Sequence, residues 1–288
     1  MGLSARTQLT ASALPQGKLM AIIQAIRTAL FYAIYFGQTA IIAILIGLIS
    51  VIRGRSKLAW KLAVYWCTSN ITYLRLLTGV KSDVTGYENI PEGGCIIASK
   101  HQSDWDVFAI FPHVGRPAYI VKQELMDIPV FGTAARAMDC IAVNRKQGGN
   151  ALPIMMREAK AALERGCRIV IFPEGTRRAP LAPAQYRQGI VRMYTELKVP
   201  VVPVALNAGL FWGRNSATIW PGTARARFLP AIEPGLPPEE FLKRLTGAIE
   251  PESEKLTLDA IEQGLGRPVP PQLAARAAEL RAASETSA

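Results

Sequence analysis

Three polar clusters, each at the end of an apolar run, hold the residue types needed for group transfer. The first is "KHQSDWD", residues 100–106, which follows "CIIAS". His101 has the ring whose ordinary pKa, near 6.5, suits a general base at neutral pH. Asp106, five positions on, could fix the imidazole tautomer and stabilise the imidazolium formed in a reaction, provided residues 102–106 turn into the start of a helix and bring it back to His101. No serine nucleophile is needed if the substrate brings its own hydroxyl. From these residues alone the pair has three readings: a base with its orienting acid, two metal ligands, or ordinary loop polarity. The metal reading has only Asp104 and Asp106 close by and no second histidine at ligand spacing, and His113 reads as a loop residue.

The second cluster is "FPEGTR", residues 172–177, after "RIVIF". Pro173 removes a ladder donor and ends the strand. Gly175 lets backbone approach a ligand closely. Arg177 has the planar fork that grips a phosphate with two hydrogen bonds. Glu174 could receive backbone N–H groups or hold a polar group of a substrate. A strand-end turn with a surface arginine is the plainer alternative. The third element is Arg145, closing "CIAVNR". It could join Arg177 on a phosphate, pair with a carboxylate, or simply lie in solvent.

These clusters need a frame that brings strand ends together. Short β-rich runs at 95–99, 118–122, 140–145, 168–172 and 201–206 alternate with helical stretches. Within residues 151–166, Leu152, Met155, Met156, Ala159 and Leu163 share one helical face, and Gly166 supplies the stop. The near-continuous apolar runs "RIVIF" and "VVPVAL" suit strands covered on both sheet faces. The alternation predicts an α/β domain over 79–288, with a largely parallel or mixed sheet flanked by helices and a helical C-terminal extension. In such sheets chemistry gathers in loops at the carboxyl ends of strands, where all three clusters fall.

The first 78 residues differ in character and read as membrane-anchoring helices. The run from 30 to 52 carries no charge. As a helix it reaches roughly 34 Å, against a hydrocarbon core of about 30 Å. It could span a bilayer or dip into one leaflet. Arg53, Arg55, Lys57 and Lys61 follow it against Arg27 before it, which puts the downstream domain on the cytoplasmic side. Residues 58–77 read as an amphipathic helix in the interface, with Leu58, Leu62, Tyr65, Trp66, Tyr73 and Leu76 forming its apolar stripe. Lys plus Arg exceed Asp plus Glu by 33 to 22, a formal charge of +11 that suits an anionic partner. The basic residues are scattered, without a run of five or six, which favours a phospholipid surface or phosphorylated substrate over nucleic acid. Cys67, Cys95, Cys140 and Cys167 have no Cys-x-x-Cys spacing and read as free thiols packed as small hydrophobes.

Taken together, "HQSDWD", "IAVNR", "FPEGTR" and "VPVVPV" (199–204) resemble, in order and spacing, the four motifs of the glycerolipid acyltransferases with an H-x-x-x-x-D signature, most of all the bacterial 1-acylglycerol-3-phosphate acyltransferases. Two departures from the family pattern stand out: Lys100 replaces a common Asn before the histidine, and Asp139 and Ala142 replace residues frequent in the second motif. The resemblance implies an O-acyltransferase of phospholipid biosynthesis that makes phosphatidic acid from lysophosphatidic acid. It implies His101 and Asp106 as the catalytic pair, with Arg145, Glu174, Gly175, Thr176 and Arg177 binding the acceptor. It also implies no metal or cofactor, an acyl-carrier-protein or coenzyme A thioester as donor, and the cell inner membrane as location. Acylation of another lyso-lipid, such as a lyso-ornithine lipid, is the alternative within the class. A non-catalytic basic membrane-binding protein is the alternative outside it.

Overall fold

The computed structural model describes residues 16–144 and 151–286. Among these, seven strands form one sheet: β1 (Val80–Thr85), β2 (Ile96–Ser99), β3 (Pro117–Lys122), β4 (Ile141–Val143), β5 (Arg168–Ile171), β6 (Val201–Leu206) and β7 (Gly222–Phe228). Their order is β1-β7-β6-β2-β5-β3-β4. Neighbours run parallel except β6 and β7, which pair antiparallel. The sheet is therefore mixed. Strands β1 and β7, at one side of the sheet with Asp83, Arg225 and Arg227 along them, lack the continuous apolar run of β6 and leave no such signature in the sequence.

Alternate residues of the central strands point to opposite faces, as the two-residue period of a strand requires. Ile97, Val170, Val202 and Val204 pack on one side, with Trp105 and Phe108 of α3 (Trp105–Ile110); α4 (Gln123–Met126) and α5 (Pro129–Ala137) follow β3. Ile96, Ala98, Ile169, Ile171 and Val201 pack on the other. There they meet Met155, Met156 and Ala159 of α6 (Ala151–Glu164), Met193 and Tyr194 of α7 (Gln188–Leu197), and Phe241 and Leu245 of α8 (Pro238–Glu262). Of the face expected for the helix after residue 150, Met155, Met156 and Ala159 are buried, together with Ala162, and Leu152 and Leu163 are partly buried. The chain ends in α9 (Pro271–Thr286).

Helix α1 (Gln16–Arg53) is longer than the uncharged run that announced it, and at 38 residues it is about 57 Å long. It is long and apolar enough to cross a membrane, yet one stripe packs along the α/β domain. Gln24 donates to the carbonyls of Thr78 (2.9 Å) and Ile219 (2.6 Å), and the hydroxyl of Thr28 accepts the Ile219 N–H at 3.1 Å. Phe31, Ile42, Ala43 and Ile46 are buried, while Met20, Ile26, Phe36, Ile41, Val51 and Ile52 stay more than half exposed. The second helix, α2 (Lys57–Tyr73), buries Ala59, Ala63, Cys67 and Asn70, a stripe of small residues that lets it sit close to α3. Leu58, Tyr65 and Leu76 of the expected apolar stripe face outward. The packed core runs without a break from Phe31, Ala59 and Cys67 to Phe108 and Trp212.

At the amino-terminal edge of the sheet, the buried carboxylate of Asp139 gathers Arg55 (2.7 Å), Arg165 (2.9 Å) and Arg116 (3.4 Å). Asp139 thus ties the turn between α1 and α2 to the sheet, which gives this departure from the family pattern a structural role at the edge opposite the polar clusters. Cys67, Cys95 and Cys167 are buried free thiols and Cys140 is half-buried.

Candidate active site

Parallel pairing of β2 with β5 sets the site. The register Ile96↔Ile169, Ile97↔Val170, Ala98↔Ile171 ends both strands at the same level, so the chain leaving at Lys100 and His101 meets the chain leaving at Phe172 to Glu174. Two backbone links fasten these loops: the Arg178 N–H donates to the His101 carbonyl at 2.8 Å, and the His101 N–H donates to Glu174 Oε2 at 3.0 Å.

The chain turns into α3 directly after His101. Its first turn brings Asp106 back to the ring, with His101 Nδ1 2.9 Å from Asp106 Oδ2. The same oxygen accepts the N–H groups of Gln102 (2.7 Å) and Ser103 (2.9 Å). An oxygen that takes two backbone donors must remain an acceptor towards the ring, so Nδ1 carries the proton and Nε2 is left as the base. Asp106 is fully buried, and Oδ1 has no hydrogen-bond partner among the described residues. The His101 ring lies against Phe172, with centroids 3.9 Å apart and planes inclined by 17°. Its side chain keeps 18% exposure.

Glu174 is buried. One oxygen holds the His101 amide and the other meets Lys100 Nζ at 3.2 Å. Burial pushes its carboxyl above the ordinary range, and Lys100 pulls it back. Gly175 sits at φ +68°, where a side chain would be strained, and its N–H closes a tight turn on the Phe172 carbonyl at 2.8 Å. Thr176 Oγ1 accepts from Arg214 at 3.2 Å. Arg177 pairs with Asp104 at 2.9 Å. The Asp104 side chain is 43% open, yet the protein crowding its other sides pushes the carboxyl up, against the pull of Arg177. The two carboxylates weighed as metal ligands therefore serve different partners. Arg145 lies outside the described residues.

Beside this pair opens a cleft of about 460 Å³. Tyr32 and Phe36 of α1, Asp104, Arg177, Trp212 and Gly213 line it, with Asn215 and Ser216. Trp212 Nε1 donates to the Tyr32 hydroxyl at 2.9 Å, so α1 forms part of the wall. His101 does not line the cleft itself; Arg178, next to Arg177, links it to that wall. Sequence reasoning missed Tyr32, Trp212 and Arg214, which come from segments with no motif. It also missed the pairing of Asp104, whose type and place gave no hint of Arg177.

A mixed α/β sheet with a His–Asp pair at the head of a helix, beside a cleft lined by Arg177, suits an acyl-transfer enzyme. The acyltransferase family model accordingly matches residues 81–207. A 1-acyl-sn-glycerol-3-phosphate acyltransferase of Pseudomonas aeruginosa is 32% identical over 216 residues, covering 74% of this chain and 83% of that one. The human 1-acyl-sn-glycerol-3-phosphate acyltransferase alpha is 26% identical over 212 residues, covering 72% and 74%. The fold matches the crystal structure of the 1-acyl-sn-glycerophosphate (LPA) acyltransferase PlsC from Thermotoga maritima with a TM-score of 0.68 at 24% identity, over 82% of this chain and 97% of that one. The chain belongs to the 1-acyl-sn-glycerol-3-phosphate acyltransferase family.

Proposed function

We propose that the protein transfers a fatty acyl group from a thioester to the free hydroxyl of 1-acylglycerol-3-phosphate, making phosphatidic acid. The observation that carries this reading is the His101–Asp106 contact, held by two further amide donors in a chain of this family. His101 Nε2 takes the proton of the acceptor hydroxyl as its oxygen attacks the thioester carbonyl. The tetrahedral intermediate collapses with cleavage of the C–S bond, and the imidazolium returns the proton to the departing thiolate. Asp106 orients the ring and stabilises its charged form. The products are the diacyl lipid and a free thiol, with no acyl-enzyme in between.

Arg177 is the acceptor's phosphate contact in this scheme. Its fork is held by Asp104 in the free protein, and a phosphate entering the cleft takes over from that carboxylate. Arg145 is a second candidate for the same phosphate. Glu174 and Gly175 shape the turn that carries Arg177. The donor is an acyl-carrier-protein or coenzyme A thioester, and the reaction as written draws on no metal or cofactor. The outward face of α1, apolar over most of its length and adjoining the cleft through Tyr32 and Phe36, supports docking on an anionic phospholipid surface from which the acceptor arrives. The basic cluster after α1 favours the cytoplasmic face of the cell inner membrane.

The test is an acceptor panel with purified full-length protein and a long-chain thioester. Lysophosphatidic acid is the preferred acceptor on this reading. Preference for a phosphate-free lyso-lipid, such as a lyso-ornithine lipid, would leave Arg177 without its anion and overturn the assignment.

A further inference from the structure

Lys100, the residue that departs from the family pattern beside the base, is only 2% exposed. Its ammonium meets Glu174 Oε1 at 3.2 Å and both oxygens of Glu250 at 2.8 Å. Each carboxylate has a second bond. Glu174 Oε2 holds the His101 N–H at 3.0 Å, and Glu250 Oε1 accepts the Tyr186 hydroxyl at 2.9 Å. One continuous chain thus runs from Tyr186 through Glu250, Lys100 and Glu174 to the backbone of the base. Glu250 stands on α8 directly before Pro251, within the helix, and outside the span matched by the family model. The same helix braces the end of β6: Ser253 Oγ accepts the Leu206 N–H at 3.2 Å, and Asn207 donates to the Leu256 carbonyl at 2.9 Å.

We propose that Glu250 is a positioning residue of the acyl transfer, acting through Lys100 and Glu174 to fix the backbone of His101. A lysine buried between two carboxylates is costly to desolvate, and apolar residues of the same volume commonly hold a fold as well. What the charged chain supplies is direction. With Glu250 present, two oxygens on α8 hold the ammonium and Glu174 keeps one oxygen for His101. Without it, Glu174 alone must neutralise Lys100, and both its oxygens are drawn towards the ammonium and away from the amide.

The inference rests on the acyltransferase reading, and its test separates the two. Glu250→Ala, Glu250→Gln and Lys100→Met are compared in the full-length protein with lysophosphatidic acid and a thioester donor. Glu250→Ala lowers kcat about 10- to 100-fold, the scale of a small misplacement of a reacting group. Its acceptor KM stays within about twofold, because Arg177 is untouched. Glu250→Gln recovers only part of kcat, since a carbonyl oxygen still reaches Lys100 while the charge that spares Glu174 is gone. The charges facing Glu174 come from Lys100 and Glu250, with the neutral Tyr186 hydroxyl behind; Asp106 contacts the His101 ring and Asp104 interacts with it electrostatically. Loss of the Glu250 charge therefore moves the acid limb of the kcat profile to lower pH, and loss of Lys100 moves it to higher pH. A role confined to stability would lower the folded fraction and leave both limbs in place. Wild-type kcat in Glu250→Ala, or a loss with unmoved limbs, overturns the inference while leaving the general base intact. Full activity in His101→Ala would overturn the acyltransferase mechanism first and this inference with it.

Discussion

Asp106→Asn separates the two services of the buried carboxylate, geometry and charge. All three donors converge on Oδ2: His101 Nδ1 at 2.9 Å, Gln102 N at 2.7 Å and Ser103 N at 2.9 Å. The two amides fix which end of an asparagine faces the ring, because only its carbonyl oxygen can accept them. The tautomer of His101 therefore survives. What is lost is the charge opposite the imidazolium in the transition state. A hydrogen bond to a charged group is worth about 1.5–3 kcal/mol and a neutral one about 0.5–1.5. The difference, about 1–1.5 kcal/mol at the single contact that gains charge, lowers kcat roughly 5- to 13-fold. The two amide contacts weaken equally in ground and transition states and so affect stability. The new NH₂ would occupy the place of Oδ1, which is buried without a partner, at a cost of about 1–3 kcal/mol in stability. The assay is thiol release under saturating lysophosphatidic acid, with thermal unfolding measured in parallel. A loss as deep as that of His101→Ala would mean that the asparagine has flipped the tautomer, and unchanged kcat would mean that the charge has no part in the step.

Other substitutions probe the phosphate contact and the outward face of α1. Arg177→Ala is expected to raise the acceptor KM roughly 10- to 150-fold, the value of a charge-assisted contact, with donor KM unchanged; a donor effect instead would reverse the assignment of the two substrates. Arg177→Lys recovers only part, and Arg145→Ala is non-additive with Arg177→Ala if both hold one phosphate. Replacing Ile26, Ile41 and Val51, which are 64%, 61% and 81% exposed, by serine removes three apolar side chains from the outward face of α1. At about 1.5 kcal/mol each on entering lipid, partitioning onto vesicles falls more than a hundredfold; undiminished flotation would place membrane attachment elsewhere.

The sequence displayed the centre of the fold well and its margins poorly. Strands β2, β5 and β6 are covered on both faces, so their residues are apolar in unbroken runs that can be read directly. Strands β1 and β7 carry charges along one side and look like loops. The His101–Asp106 contact was legible because five positions span one turn into a helix, a local matter. Glu174 was legible by type, and as a possible acceptor of backbone N–H groups, but its choice between that and substrate was not. That choice depends on Lys100 and on Glu250, separated by 150 positions in the chain. The apolar stripe of α2 was legible, and Leu58, Tyr65 and Leu76 stay outward as an interfacial face would; the opposite face, which packs on the domain, was not. Close approach to α3 selected small residues such as Ala59, Ala63 and Cys67 there, which carry little signal in a sequence.

The central claim is that His101 deprotonates the hydroxyl of lysophosphatidic acid. Its most direct test is phosphatidic acid formation by purified His101→Ala protein beside the wild type, with folding and vesicle binding checked in both. The account predicts a fall of about 10²- to 10⁴-fold, the usual worth of a positioned general base, in a protein that still folds and still binds vesicles. Turnover near the wild-type rate in the His101→Ala protein would contradict it.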